Sequence, residues 1–119
     1  MKKCISLLLA VLLLLCSACA GGEKGPVKKK HITDDAVRYG TIAMETMEDY
    51  LDGKIELKAA QDKLKNCASK LKDTGDTFDN ILSINISVCS TNLYLHSVGN
   101  KSKAEIREDI QDINDFLYE

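Results

Sequence analysis

Apolar and polar positions divide this chain into three regimes. Ile5 through Leu15 form an apolar run broken only by Ser6 and small Ala10. A helix that crosses a bilayer needs about 20 apolar residues, and this run covers about half of that, so it reads as an export segment rather than a permanent span. Residues 20 to 30 have no apolar period and hold three glycines and the only proline, the composition of a flexible spacer. From Thr33 onward apolar residues recur at steps of three and four, the spacing that gathers side chains on one face of a helix.

Val37, Gly40, Met44, Met47 and Leu51 mark the first helix, with Thr33 as its cap, Ile32 and Val37 at hydrophobic-staple positions, and Gly53 as its stop. Leu57, Ala60, Leu64, Cys67 or Ala68, and Leu71 mark the second, which carries Lys58, Lys63, Lys65, Lys70 and Lys72 on its other faces and ends near Gly75. Asp76 or Thr77 can cap the next segment. Ser102 with Glu105 matches a capping box ahead of Ile106, Ile110, Ile113 and Leu117, the stripe of a fourth helix. That helix also carries an acidic stripe of Glu105, Glu108, Asp112, Asp115 and Glu119.

The third segment is ambiguous by pattern. Leu82 to Val88 alternates apolar and polar residues as a half-buried strand would. Yet Phe78, Ile81, Ile84, Val88, Leu95 and Val98 also share one helical face, while Leu82, Ile86, Cys89 and Leu93 share the adjacent one. A lone strand would leave its backbone groups without partners, so the segment is expected to be helical. The prediction is an all-α, antiparallel four-helix bundle behind a signal peptide and flexible linker, with loops at Asp52 to Ile55, Thr74 to Thr77 and Gly99 to Lys101.

Lys2 and Lys3 give the export segment its basic start, and it ends Cys16-Ser17-Ala18-Cys19-Ala20-Gly21-Gly22. That stretch resembles the lipobox of bacterial lipoproteins, in which small residues precede a cysteine whose thiol receives diacylglycerol. The resemblance, which covers residues 1 to about 22, implies lipidation at Cys19 and removal of residues 1 to 18; with the spacer composition and the helical periodicity it gives a lipidated cysteine and linker over 19 to 31 and a folded domain over 32 to 119. It departs from the family at Cys16, where leucine is usual. It places the domain on the extracytoplasmic face of the cell membrane. Two acyl chains hold a protein there, where one holds it only marginally at about 0.8 kcal/mol per buried methylene. Lys28, Lys29 and Lys30 could touch anionic headgroups. The competing reading is cleavage after Ala18-Cys19-Ala20, which would release a soluble secreted factor. Within the domain, Tyr50-Leu51-Asp52-Gly53-Lys54-Ile55 followed by a lysine-rich helix resembles small helical lipoproteins of Gram-positive bacteria, a resemblance that brings no activity and no site residues.

Charge narrows the partners. The formal charge is -2, and with Lys2 and Lys3 removed 14 of the 16 Lys and Arg face 18 Asp and Glu, leaving -4. Such a domain lacks the clustered cations that neutralise phosphates, so nucleic acid is not expected as a partner. With no Trp, two Phe and four Tyr, platforms for stacking sugars or bases are scarce. Residues 33 to 52 carry six acids and one Arg, while 54 to 73 carry six Lys and three acids, so solvated pairs between the first two helices are expected.

Candidate chemistry is thin. Cys67 and Cys89 lie in a compartment where disulfides form, but about 7 Å of axial mismatch across the hairpin argues for two small buried thiols instead. Met44 and Met47 with His31 and His96 are copper-type ligands whose spacing forms no metal site. No nucleophile with its base and no phosphate loop is present, so no catalytic residue is named and no enzyme or cofactor is expected.

The anomaly is that residues 80 to 100 contain no Asp, Glu, Lys or Arg in a chain that is 29% charged. Depletion of charge marks the centre of protein interfaces. The solvent face of the third helix, built from Ser83, Asn85, Ser87, Ser90 and Asn92 with Tyr94 and His96, is therefore the expected contact for a protein partner or a second copy. The expected function is a lipid-anchored, noncatalytic interaction module of the cell envelope. The alternative is a binding protein with a small apolar ligand in a cavity beside Met44, Met47 and Tyr94.

Overall fold

A computed structural model describes residues 26–119, which form four helices: α1 (Asp34–Leu51), α2 (Leu57–Lys72), α3 (Thr77–Ser97) and α4 (Lys103–Leu117). The third segment is a helix, and no strand occurs among the described residues beyond one isolated bridge. The expected signal peptide and Cys19 lie outside the described residues.

Three of the four helices start on a side-chain cap. The Thr33 side chain accepts from the Ala36 amide at 2.9 Å, and Asp76 accepts from the amides of Phe78 and Asp79. Ser102 and Glu105 make both bonds of the capping box, at 3.1 and 2.8 Å. The bond from the Ser102 amide holds the Glu105 carboxyl below its ordinary range. Helix α2 has no side-chain cap, but Lys70 and Lys72 in its last turn suit the negative end of its dipole.

Packing places α2 and α4 on opposite sides of α3, touching α3 and α1 but not each other, while α1 meets α3 across the bundle. Helix α1 approaches with small residues, since Ala36, Gly40 and Ala43 are all buried. A Cβ on Gly40 would stand 2.9 Å from Leu117 Cδ1 and 3.5 Å from Leu82 Cδ2, so glycine sets how closely α1, α3 and α4 meet. Leu64, Leu71, Leu82, Ile86, Leu93, Ile106, Ile113 and Leu117 fill the centre. Each such side chain contributes about 1.5 to 3 kcal/mol on burial.

Two polar contacts join α1 to α3. Buried Asp79 accepts from Thr33 Oγ1 and from Thr74 Oγ1, both at 2.7 Å, so one carboxylate ties the head of α1 and the α2–α3 turn to the first turn of α3. At the far end Tyr50 Oη lies 2.8 Å from His96 Nδ1, with the rings edge to face. Both pairs are separated by 46 residues, so the two helices run parallel without slip.

The spacer expected through residue 30 ends earlier. Lys28 bridges to Tyr118, the Lys29 amide donates to Leu117 O, and the Glu119 amide donates to Val27 O, both at 2.9 Å. Lys28 Nζ donates to Ile32 O and Lys29 Nζ to Asp115 O, which occupies two of the lysines expected at headgroups. The cause is Ile32: its side chain is 2% exposed, and burying it draws the preceding chain along the end of α4. The expected ion pairs between α1 and α2 are not seen among the described residues. Glu48 pairs instead with Arg107 of α4 at 3.1 Å, and Lys58 with Asp62 of its own helix at 3.4 Å.

Candidate protein-interaction surface

Helix α3 is apolar on two sides, and the core uses only one. Leu82, Ile86, Cys89 and Leu93 face inward, while Ile81, Ile84, Val88 and Val98 are 40%, 57%, 51% and 50% exposed. With Thr91 and half-buried Leu95, the outward residues occur at 81, 84, 88, 91, 95 and 98. Alternating steps of three and four are the period of a seam between two packed helices. No charged residue lies on α3 after Asp79.

Two grooves border this ridge. Between α2 and α3 a shallow groove of about 680 Å³ is lined by Lys65 and Lys72 from α2 and by Asn80, Ile84, Ser87 and Val88 from α3, among others. Between α3 and α4 a smaller one of about 340 Å³ is lined by Asn85, Val88, Cys89, Asp109, Asp112 and Ile113. The ridge therefore has cations along one flank and carboxylates along the other.

The residues expected at the contact are divided. Ser87 and Tyr94 are exposed as expected. Ser83 and Ser90 are buried, because their small side chains face inward from α3, and the Ser90 carbonyl accepts from Gln61 of α2 at 3.0 Å. Asn92 is 9% exposed and donates to Asp109 of α4 at 2.9 Å. His96 is half-buried against Tyr50. Ser83, Asn92 and His96 are thus engaged inside the bundle, and the outward face is the apolar set that the pattern also grouped together. The signal was the three-and-four spacing itself, which says that a face exists but not which way it points.

Cys67 and Cys89 are buried free thiols. Burial pushes Cys67 upward, against the pull of Lys63, and burial with Asp109 and Asp112 pushes Cys89 up to about 12. Neither is a ready nucleophile at neutral pH. His31 stacks on Phe78 with centroids 4.1 Å apart at the head of the bundle, far along the axis from His96, and Met47 is packed in the core. Among the described residues no three His, Cys, Asp or Glu side chains gather to hold a metal ion. Met44, Met47 and Tyr94 line neither groove, and Tyr94 is 51% exposed while Met47 is 0% exposed, so these three do not share a cavity.

None of the described helices is long and apolar enough to cross a membrane. No family model matches the chain, and no curated protein or solved structure matches it either.

Proposed function

We propose that this chain is a lipid-anchored, noncatalytic helical module on the extracytoplasmic face of a cell membrane, and that it works by binding protein through the outer face of α3. The observation that carries the reading is a ridge of Ile81, Ile84 and Val88, 40 to 57% exposed on a helix without charge after Asp79. Contiguous exposed apolar surface marks contact sites, and an uncharged centre with charged flanks is how protein interfaces are built. The anchor rests on Cys19 and the small residues before it.

The test expresses the full chain in a Gram-positive host as wild type, Cys19→Ser and Ile84→Asp, followed by fractionation and crosslinking. Wild type should sediment with membranes and Cys19→Ser should be released. Ile84→Asp should remain folded, since the side chain is 57% exposed, yet lose its crosslinked species. Equal release of wild type and Cys19→Ser would end the anchor, and unchanged crosslinks in Ile84→Asp would end the role of this face.

A further inference from the structure

The two flanks of the ridge differ in sign, and this selects a partner. We infer that the outer face of α3 pairs with the same face of a second copy, the two α3 helices running parallel about a two-fold axis along them. The inference rests on the reading that this face binds protein. A two-fold axis lying in the contact plane and parallel to α3 sets each chain's α2 flank against the partner's α4 flank. Lys65, which lines the α2–α3 groove, then confronts Asp112, which lines the α3–α4 groove. An axis perpendicular to α3 would instead set lysine against lysine and aspartate against aspartate, which suppresses the antiparallel arrangement.

Axial level agrees. Gln61 bonds to Ser90 and Asn92 to Asp109, so along these antiparallel neighbours Lys65 stands near residue 86 of α3 and Asp112 near residue 89. That difference is about 4.5 Å at the helical rise, well within the reach of a lysine side chain. Self-complementarity of one patch is what a two-fold contact requires. Ile81, Ile84, Val88, Thr91, Leu95 and Val98 supply the seam, with β-branched Ile81 and Val88 at equivalent heptad positions. The parallel arrangement also puts Val27 of both chains at the same end, beside Tyr118 and the end of α4. That keeps the two chains' N-terminal ends, which lead to the proposed anchors, on one side of the pair.

The experiment uses the full chain in the membranes of the expressing host. Ile81→Cys and Thr91→Cys are made separately and oxidised gently, with the unsubstituted chain as background. In a parallel, in-register pair each new thiol lies opposite its own copy within the 7 Å or so between Cα atoms that a disulfide allows, so both variants should give the covalent dimer. An antiparallel pair can satisfy at most one of them. Adding Lys65→Glu to either should reduce the dimer about twofold to fivefold, the worth of an exposed ion pair, and adding Asp112→Lys as well should restore it. Restoration can only act between chains, because the two residues flank opposite sides of α3. Failure of either cysteine to link to its own copy overturns the dimer. If those cysteines link instead to a different protein, the interaction surface stands without self-pairing; if they link to nothing and Ile84→Asp changes no crosslink, both readings fall together.

Discussion

The Thr33 hydroxyl at the head of α1 donates to the Asp79 carboxylate in the first turn of α3 at 2.7 Å, and the same carboxylate accepts from Thr74 in the preceding turn. Asp79 is 1% exposed, so these two hydroxyls, and not water, are the partners of its buried side chain. Asp79→Ala should therefore cost about 1 to 3 kcal/mol, from the loss of two side-chain bonds that tie the head of α1 and the preceding turn to α3. Asp79→Asn keeps one acceptor oxygen and offers an amide to the other hydroxyl, and should cost less than half as much. Urea midpoints of the three proteins check this, and equal losses for Ala and Asn would contradict it.

Stability should fall at alkaline pH because of Cys89. Its thiol is pushed up to about 12 in the fold, whereas the unfolded chain releases the proton near 9.0. A raised folded value means stability that is whole below pH 9 and is lost as pH rises toward 12. The slope is at most about 1.4 kcal/mol per pH unit, and Cys67, raised by burial, adds in the same direction. Cys89→Ala should flatten the decline measured by urea unfolding between pH 8 and pH 11. An unchanged slope would place its cause elsewhere.

Gly40 holds a close approach rather than a special backbone shape. Alanine there recovers about 0.5 to 1 kcal/mol of helix propensity, set against displacement of Leu117 Cδ1 from 2.9 Å, so Gly40→Ala should change little. Valine adds branches on the same Cβ and should cost about 1 to 3 kcal/mol by overpacking. Thermal melting separates the two. Equal tolerance of Ala and Val would mean that α1 and α4 are looser than this contact requires.

The N-terminal strap should depend on Ile32. Removing its buried side chain in Ile32→Ala should cost about 2 to 4 kcal/mol and free the Lys29 and Glu119 amides, whose bonds to Leu117 and Val27 hold the strap. Hydrogen exchange reads this directly. Both amides should lose protection well before those of α3, and retained protection would show that the strap stands without its apolar anchor.

Helix α3 marks the boundary between pattern and packing. Its alternation from Leu82 to Val88 favours a strand locally, while the helical spacing of two apolar faces and the absence of a pairing partner along the chain argue for helix. The structure agrees with helix, but it turns the helix by one face from expectation. Ser83, Ser90 and Asn92 go inward, and Ile81, Ile84 and Val88 go outward. Both faces of this helix are nearly uncharged, so the usual guide, charge toward water, was missing here. Orientation was instead decided by neighbours: α2 accepts small serines and bonds the Ser90 carbonyl, and α4 supplies Asp109 to Asn92.

By itself the sequence determined what depends on near neighbours along the chain. It set the four helices through apolar spacing, the caps at Thr33 and Ser102, the stops of the first three at Gly53, Gly75 and Gly99, and the charge-free stretch that singles out α3, since each is a property of residues within one or two turns. Tertiary structure alone decided which face of α3 is left to solvent, that Asp79 joins Thr33 to Thr74, that Tyr50 meets His96, and that Val27 to Lys30 lie along the end of α4. These partners stand far apart in sequence, and no local preference names them. They meet because burying Ile32, Gly40 and the inner face of α3 together brings their backbones into one place.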